Sequence, residues 1–238
     1  MKPDASKNHL PTILVAVVLL VLLVGIIIPT LGRARSVPRS SDYSNIRQIG
    51  QASLIYAMSN NNRFPEAKHI WDFARQIAES GGLDVSSIWQ SKEDPAFSNS
   101  VDVPRNILVP GDAQPRRLDP GFRQLKLCIA VPLGKLTINM PATTPIAWTR
   151  GLQPNGTWAK HSPYGANGGY VVFIGGNVGF YKNLTSDGGE LVRFDGKGKT
   201  ANILEALPPG CRIGEYVPTP AEQLEWAKQS RATSPQGR

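Results

Sequence analysis

The stretch LPTILVAVVLLVLLVGIIIPTL, residues 10–31, carries no charged side chain over 22 positions and follows a nine-residue polar tail. As an α-helix it would rise about 33 Å, close to the ~30 Å hydrocarbon layer of a bilayer. A helix satisfies its own backbone hydrogen bonds in lipid, and the Val, Leu and Ile residues of this stretch would clothe it in apolar surface. The expectation is therefore a transmembrane helix. A buried soluble helix is the plainer alternative, but 18 or more uncharged apolar residues are read as a span. A cleaved signal would use Lys2 and Lys7 as its basic region. Signal cores, however, run about 7–15 residues to a small-x-small site, whereas this one runs into Pro29-Thr30-Leu31-Gly32-Arg33. Pro11 suits a first helical turn, and Pro29 would kink or end the helix near the far interface.

Outward from this stretch, the chain of 238 residues leaves about 200 for one domain of ordinary size. Hydrophobic content of 41% can build a core, while 23 Gly and 20 Pro point to many turns. Net charge is +8; without Lys2, Lys7 and Asp4 there remain 24 basic against 17 acidic residues. The excess is diffuse. Arg33, Arg35 and Arg39 fit a headgroup region, and beyond them Arg116-Arg117 is the one basic doublet. No nucleic-acid motif accompanies the charge, so no nucleic-acid partner is expected. Cys128 and Cys211 lie 83 positions apart, which excludes a CxxC redox site or a zinc knuckle. One disulfide and two separately buried thiols are both compatible with that spacing.

Residues 40–59 read as a helix, since Ile46, Ile49, Ala52 and Tyr56 recur at spacings of three and four. It is expected to continue the anchor as a stem. Asn60-Asn61-Asn62 before Phe64-Pro65 should stop it. Residues 66–80 are amphipathic, with Ile70, Phe73, Ala74, Ile77 and Ala78 on one face and Gly81-Gly82 as the stop. Five prolines between 94 and 124 suggest a long surface excursion. Apolar, β-branched runs at 125–131, 144–149, 169–174 and 177–182 predict strands, the last two joined through Gly175-Gly176. A fifth strand is expected at 190–194, and the short connections favour antiparallel pairing. Thr219-Pro220-Ala221-Glu222 forms a capping box for a short helix to about residue 229, ahead of a tail expected to be disordered.

Three stretches carry a resemblance: Ile26-Ile27-Ile28-Pro29-Thr30-Leu31-Gly32-Arg33-Ala34-Arg35; Ser44-Asn45-Ile46-Arg47-Gln48-Ile49-Gly50-Gln51-Ala52 with Tyr56-Ala57 and the asparagine stop; and Gly168-Gly169-Tyr170-Val171-Val172-Phe173-Ile174-Gly175-Gly176-Asn177-Val178. Their order resembles the type IV pilin and type II secretion pseudopilin superfamily. The resemblance implies an α+β, pilin-like fold: a long N-terminal transmembrane helix continuing into a stem, then a compact head with an antiparallel β-sheet. The corresponding domains are a polar tail at 1–9, the transmembrane helix at 10–31, a helical stem at 32–62, the head at 63–218 and a short helix with a disordered tail at 219–238. It further implies a single-pass bacterial inner-membrane protein with an extracytoplasmic head. Its partners would be the lipid bilayer and other pilin-like subunits or secretion-apparatus proteins. Counting basic residues alone gives the opposite orientation, since Arg33, Arg35 and Arg39 follow the span. Residues 90–124 carry none of the likeness.

The departures matter as well. The prepilin peptidase site would fall between Lys7 and Asn8, where the family has Gly before the cut and Phe or another apolar residue after it. Thr12 stands where assembled pilins carry a glutamate that neutralises a neighbouring N-terminal amine. Without that carboxylate a buried amine would lack its partner, so residues 1–7 are expected to be retained. The implied function is a noncatalytic structural protein of a type II secretion or pilus-like apparatus, with a solitary anchored binding module for an envelope component or glycan as the alternative.

No catalytic, cofactor-binding or metal-ligating residue is assigned, and no cofactor is expected. His9, His69 and His161 show no HExxH or paired-ligand spacing, and no Gly-x-Ser-x-Gly turn exists. Arg193-Phe194-Asp195-Gly196-Lys197-Gly198-Lys199-Thr200 ends like a phosphate-binding loop but begins with Arg193 where Gly is required, so it reads as a glycine-rich turn. Asp187 and Asp195 are better explained by Asp-Gly turns than by calcium. Trp148, Trp158, Tyr164, Tyr170, Phe173, Phe180 and Tyr181 should mostly be core, any exposed member marking a contact surface.

Overall fold

The computed structural model describes residues 40–97, 102–111 and 114–222. The chain divides into two compact units, Met1–Arg39 and Ser40–Arg238. The first lies outside the described residues, and with it the expected tail, span and peptidase-site region. No helix among the described residues is long and apolar enough to cross a membrane. The assignments built on the span are corrected accordingly. The described chain supplies no membrane-crossing helix for a single-pass inner-membrane protein, and nothing in it supports a pseudopilin or secretion role.

The expected fold class is corrected too, because the helix that was to continue the anchor as a stem belongs to the domain. Helix α1 (Ser40–Ser59) packs on the sheet and on a second helix, α2 (Ile70–Ser80). Ile46, Ile49 and Ala52 lie buried along its inner face, and Tyr56 donates its hydroxyl to Gln76 Oε1 on α2. Gly50 brings this helix close to the sheet: a Cβ there would stand 2.7 Å from Val172 Cγ2. Asn61 and Asn62 end the helix with positive φ, a region that asparagine tolerates better than most residues. Helix α2 buries Ile70, Phe73, Ala74, Ile77 and Ala78, the five positions its period predicts. It begins four residues later than expected because His69 is its N-cap, accepting the Asp72 N–H at Nδ1.

The result is a small, sheet-rich domain. Its five-stranded antiparallel sheet has the order β4-β3-β2-β1-β7, built from β1 (Ile129–Leu133), β2 (Pro145–Thr149), β3 (Gly169–Phe173), β4 (Val178–Tyr181) and β7 (Arg212–Gly214). The strand expected at 190–194 does not join it. Instead β5 (Leu191–Val192) pairs with β6 (Lys199–Thr200) in a separate two-stranded ribbon, and β7 supplies the fifth strand. At the β3–β4 turn only Gly176 takes positive φ, at 80°, although either glycine could.

Successive residues of β1 and β3 point to opposite faces, a register shift in β2 places both Ile146 and Ala147 on the helix side, and both faces of the sheet are covered. Ile129, Val131, Ile146, Tyr170 and Val172 pack toward the helices. Ala130, Trp148, Val171 and Phe173 pack into a second core with Trp158, Leu184, Leu191, Ile203 and Leu207. Burial on both sides explains why these strands read as apolar runs rather than alternating ones.

The proline-rich excursion is not a surface loop either. Ile107, Leu108 and Phe122 are fully buried, and a short helix, α3 (Pro120–Gln124), is capped by Asp119. The Asp84 carboxylate accepts the backbone N–H groups of Ile107 and Leu108, which pins the segment to the core. Near the end of the described chain the capping box is formed as expected: Glu222 N–H donates to Thr219 Oγ1 and Thr219 N–H to Glu222 Oε2. The rest of the predicted helix and tail lies outside the described residues.

Candidate functional site: a cationic groove

Two kinds of polar site distinguish themselves, one sealed in the core and one open to solvent. In the core, Asp94 Oδ1 lies 2.6 Å from Arg150 Nη2, with side chains 2% and 1% exposed. Arg150 Nη2 also donates to the His161 carbonyl, and its guanidinium lies 5.5 Å from the Tyr216 ring centroid. Burial pushes the Asp94 carboxyl up to about 6 against the pull of Arg150. Nearby, Gly151 N–H donates to Glu215, whose carboxyl is also raised by burial. Asp42 Oδ2 receives the hydroxyls of Ser91 and Tyr164, each at 2.5 Å. Burial first, and that bond second, hold the Tyr164 phenol far above its ordinary range.

These groups do not surround a substrate-sized space. The cavity among Asp42, Ser91, Cys128, Thr149, Tyr164 and Tyr170 is about 10 Å³, no larger than one water requires. Their polar atoms instead bond to one another and to backbone, tying α1, the 91–96 turn and the 150–164 loop together.

The open site lies between α2 and the segment 115–124. It is a groove of about 790 Å³ lined by five cationic side chains, Lys68, Arg75, Arg116, Arg117 and Arg123, and by one carboxylate, Asp72. Pro115, Leu118 and Pro120 add apolar surface, and Gln124 an amide. Two of the cations are fixed from behind. Arg75 reaches Asp72 at 3.1 Å and Glu79 at 2.8 Å, one turn away on either side. Arg116 reaches Asp84 at 3.5 Å, while its backbone N–H donates to Glu79 Oε1 at 2.7 Å. Glu79 therefore joins the two walls. Lys68, Arg117 and Arg123 are exposed and have no ion-pair partner among the described residues. His69 stands at the rim, its Nδ1 accepting the Asp72 N–H.

Sequence reasoning saw only the Arg116-Arg117 doublet of this groove. Lys68 and Arg75 lie some 40 residues upstream on another element, so no local pattern joins them to it.

The other residues singled out by sequence are accounted for separately. His9 lies outside the described residues, and His161 contributes its carbonyl to Arg150 while burial lowers its ring pKa. Cys128 and Cys211 are free thiols, both raised by burial. The 193–200 segment is the β5–β6 turn, with Gly196 and Gly198 at positive φ and Asp195 accepting the Lys197 N–H. Among the described residues no group of three or more His, Cys, Asp or Glu is placed to hold a metal. Of the aromatic set, Trp148, Trp158, Tyr170 and Phe173 are buried, and Tyr164, Tyr170 and Phe180 stack edge to face.

No family model, curated protein or solved structure matches this chain.

Proposed function

We propose that this protein works without catalysis, as a structural subunit whose folded domain makes contacts with pilin-like partner proteins or copies of itself. Neither a bilayer anchor nor a secretion role is part of this reading. One observation carries it: the outward side of α1 leaves three large apolar side chains, Tyr43, Ile55 and Met58, open to solvent among the polar Ser44, Arg47 and Gln51. Tyr43, Met58 and Ile55 fall within an arc of about 120° on the helical wheel, while Leu54 on the same arc packs partly against the core. Ile55 is 50% and Met58 71% exposed, on the side opposite the buried Ile46 and Ile49. Single surface apolar residues are ordinary, whereas three large ones on one side of a helix offer a mixed patch of the kind that protein contacts use. The cavity beside Asp42 and Tyr164, with room for one water, favours the noncatalytic side of the reading.

Photo-crosslinking from position 51, exposed on the same side of α1, in cells, followed by mass spectrometry, tests it. Adducts with this chain or with pilin-like proteins, lost in the Ile55→Lys/Met58→Lys double variant, are expected. Adducts confined to glycans or unrelated envelope proteins, or unchanged in the double variant, overturn it. The two substitutions should leave folding stability within about 0.5 kcal/mol apiece, since neither side chain is part of the core.

A further inference from the structure

We infer that the groove between α2 and residues 115–124 is a docking site for an extended, acidic peptide segment of a partner protein. The inference rests on the reading of this molecule as a subunit that acts by protein contacts, but it uses a surface that does not include the α1 face.

Charge complementarity is the first argument. Five cations against one carboxylate line the groove, and the acids behind it compensate only Arg75 and Arg116. Lys68 on one wall and Arg117 and Arg123 on the other are left facing solvent. Like charges gathered in a concave surface repel one another, and an anion relieves that repulsion as it pairs. Arg117 and Arg123 each offer a planar guanidinium, which can donate two parallel hydrogen bonds to a carboxylate.

Preorganisation is the second. Glu79 binds Arg75 through one oxygen and the Arg116 backbone through the other, so the two walls are held at their spacing before any ligand arrives. A fixed site loses less conformational entropy on binding than a floppy one.

The lining also separates ligand classes. No Phe, Tyr or Trp lines the groove, so unpaired bases would find only the His69 ring and arginine planes to stack on. Pro115, Leu118 and Pro120 instead offer a surface for aliphatic side chains, and Gln124 can both donate to and accept from a peptide backbone. At about 790 Å³ the groove falls within the roughly 300–1,000 Å³ of ordinary ligand sites, enough for a few residues of extended chain.

Fluorescence anisotropy with the full 238-residue chain tests the inference. The probe is a fluorescein-labelled decapeptide of alternating Glu and Ala; the matching Gln/Ala peptide and a labelled ten-nucleotide oligothymidylate are the other arms. Salt-sensitive binding of the acidic peptide is expected. It should weaken at least tenfold in Arg117→Gln/Arg123→Gln, and less than twofold in Lys197→Gln/Lys199→Gln, which removes two exposed cations from the β5–β6 turn. Unchanged thermal unfolding of both variants shows that the fold is intact. Equal weakening by the two double variants would reduce the effect to diffuse charge, and binding of the oligothymidylate at least as tight as that of the peptide would assign the groove to nucleic acid; either overturns the inference. The Ile55→Lys/Met58→Lys variant should bind the peptide normally, so failure of the α1 contact and failure of the groove are read apart.

Discussion

At the scale of single residues, Asp94 and Glu222 make opposite contributions to the pH dependence of stability. The Asp94 carboxyl rises in the fold from an ordinary 3.8 to about 6, chiefly through burial. Between those values the folded chain holds a proton that the unfolded chain has released, so this contribution is full below about pH 4 and is lost as pH rises through 6. Glu222 is held down to about 2, first by its hydrogen bond from Lys126, whose Nζ lies 2.6 Å away. Its contribution is present above its ordinary 4.5 and is lost as pH falls toward 2. Urea titrations between pH 2 and 7 should show the upper component vanish in Asp94→Asn and the lower one in Glu222→Gln. At pH 7 Asp94→Asn should also cost about 3–5 kcal/mol, because Arg150 then keeps a buried charge without its carboxylate. A loss below about 1 kcal/mol would mean that water reaches the pair. The sequence placed Asp94 at the start of a surface excursion and assigned Arg150, just past an expected strand at 144–149, no role. Nothing local marks two residues 56 positions apart as an ion pair.

Elements were more legible. Helices α1 and α2 follow from apolar spacings of three and four, and α2 buries the five side chains its period names. Such periodicity depends on neighbours within two turns, which sequence alone supplies. The closeness of α1 to the sheet is a different matter. Gly50 sits in mid-helix, where glycine costs about 1 kcal/mol relative to alanine, and the compensation is visible only against Val172. Gly50→Val should therefore destabilise by about 1–3 kcal/mol despite its larger apolar side chain, as a lower melting temperature by circular dichroism. No loss would show that the helix can lift off the sheet freely. At the other end of α2, Phe73→Ala should cost about 3–5 kcal/mol in the same assay, since that ring is buried in the helix-side core. Strand β7 escaped notice because three residues, Arg212, Ile213 and Gly214, hold too few side chains to show a period, and they gain their role only by pairing with β1.

Across the whole molecule, the sheet is shared by the helix-side core and the core behind it, so the two should unfold together. Variants retaining only Trp89, in the first core, or only Trp148, in the second, should report one urea midpoint. Separate midpoints would divide the domain into independent layers. By itself the sequence determined what depends on near neighbours: two amphipathic helices, the asparagine stop, four strands of the main sheet and the reading of 193–200 as a turn. Its longest apolar run suggested a membrane protein built as anchor, stem and head, but no helix among the described residues can cross a bilayer, and the presumed stem packs as part of the domain. Tertiary structure alone decided that both faces of the sheet are covered, that the proline-rich segment enters the core, and that Lys68 and Arg75 meet Arg116, Arg117 and Arg123 across one groove. Side-chain period is written along the chain within a few residues, whereas the convergence of charges from distant elements exists only once the chain has closed on itself.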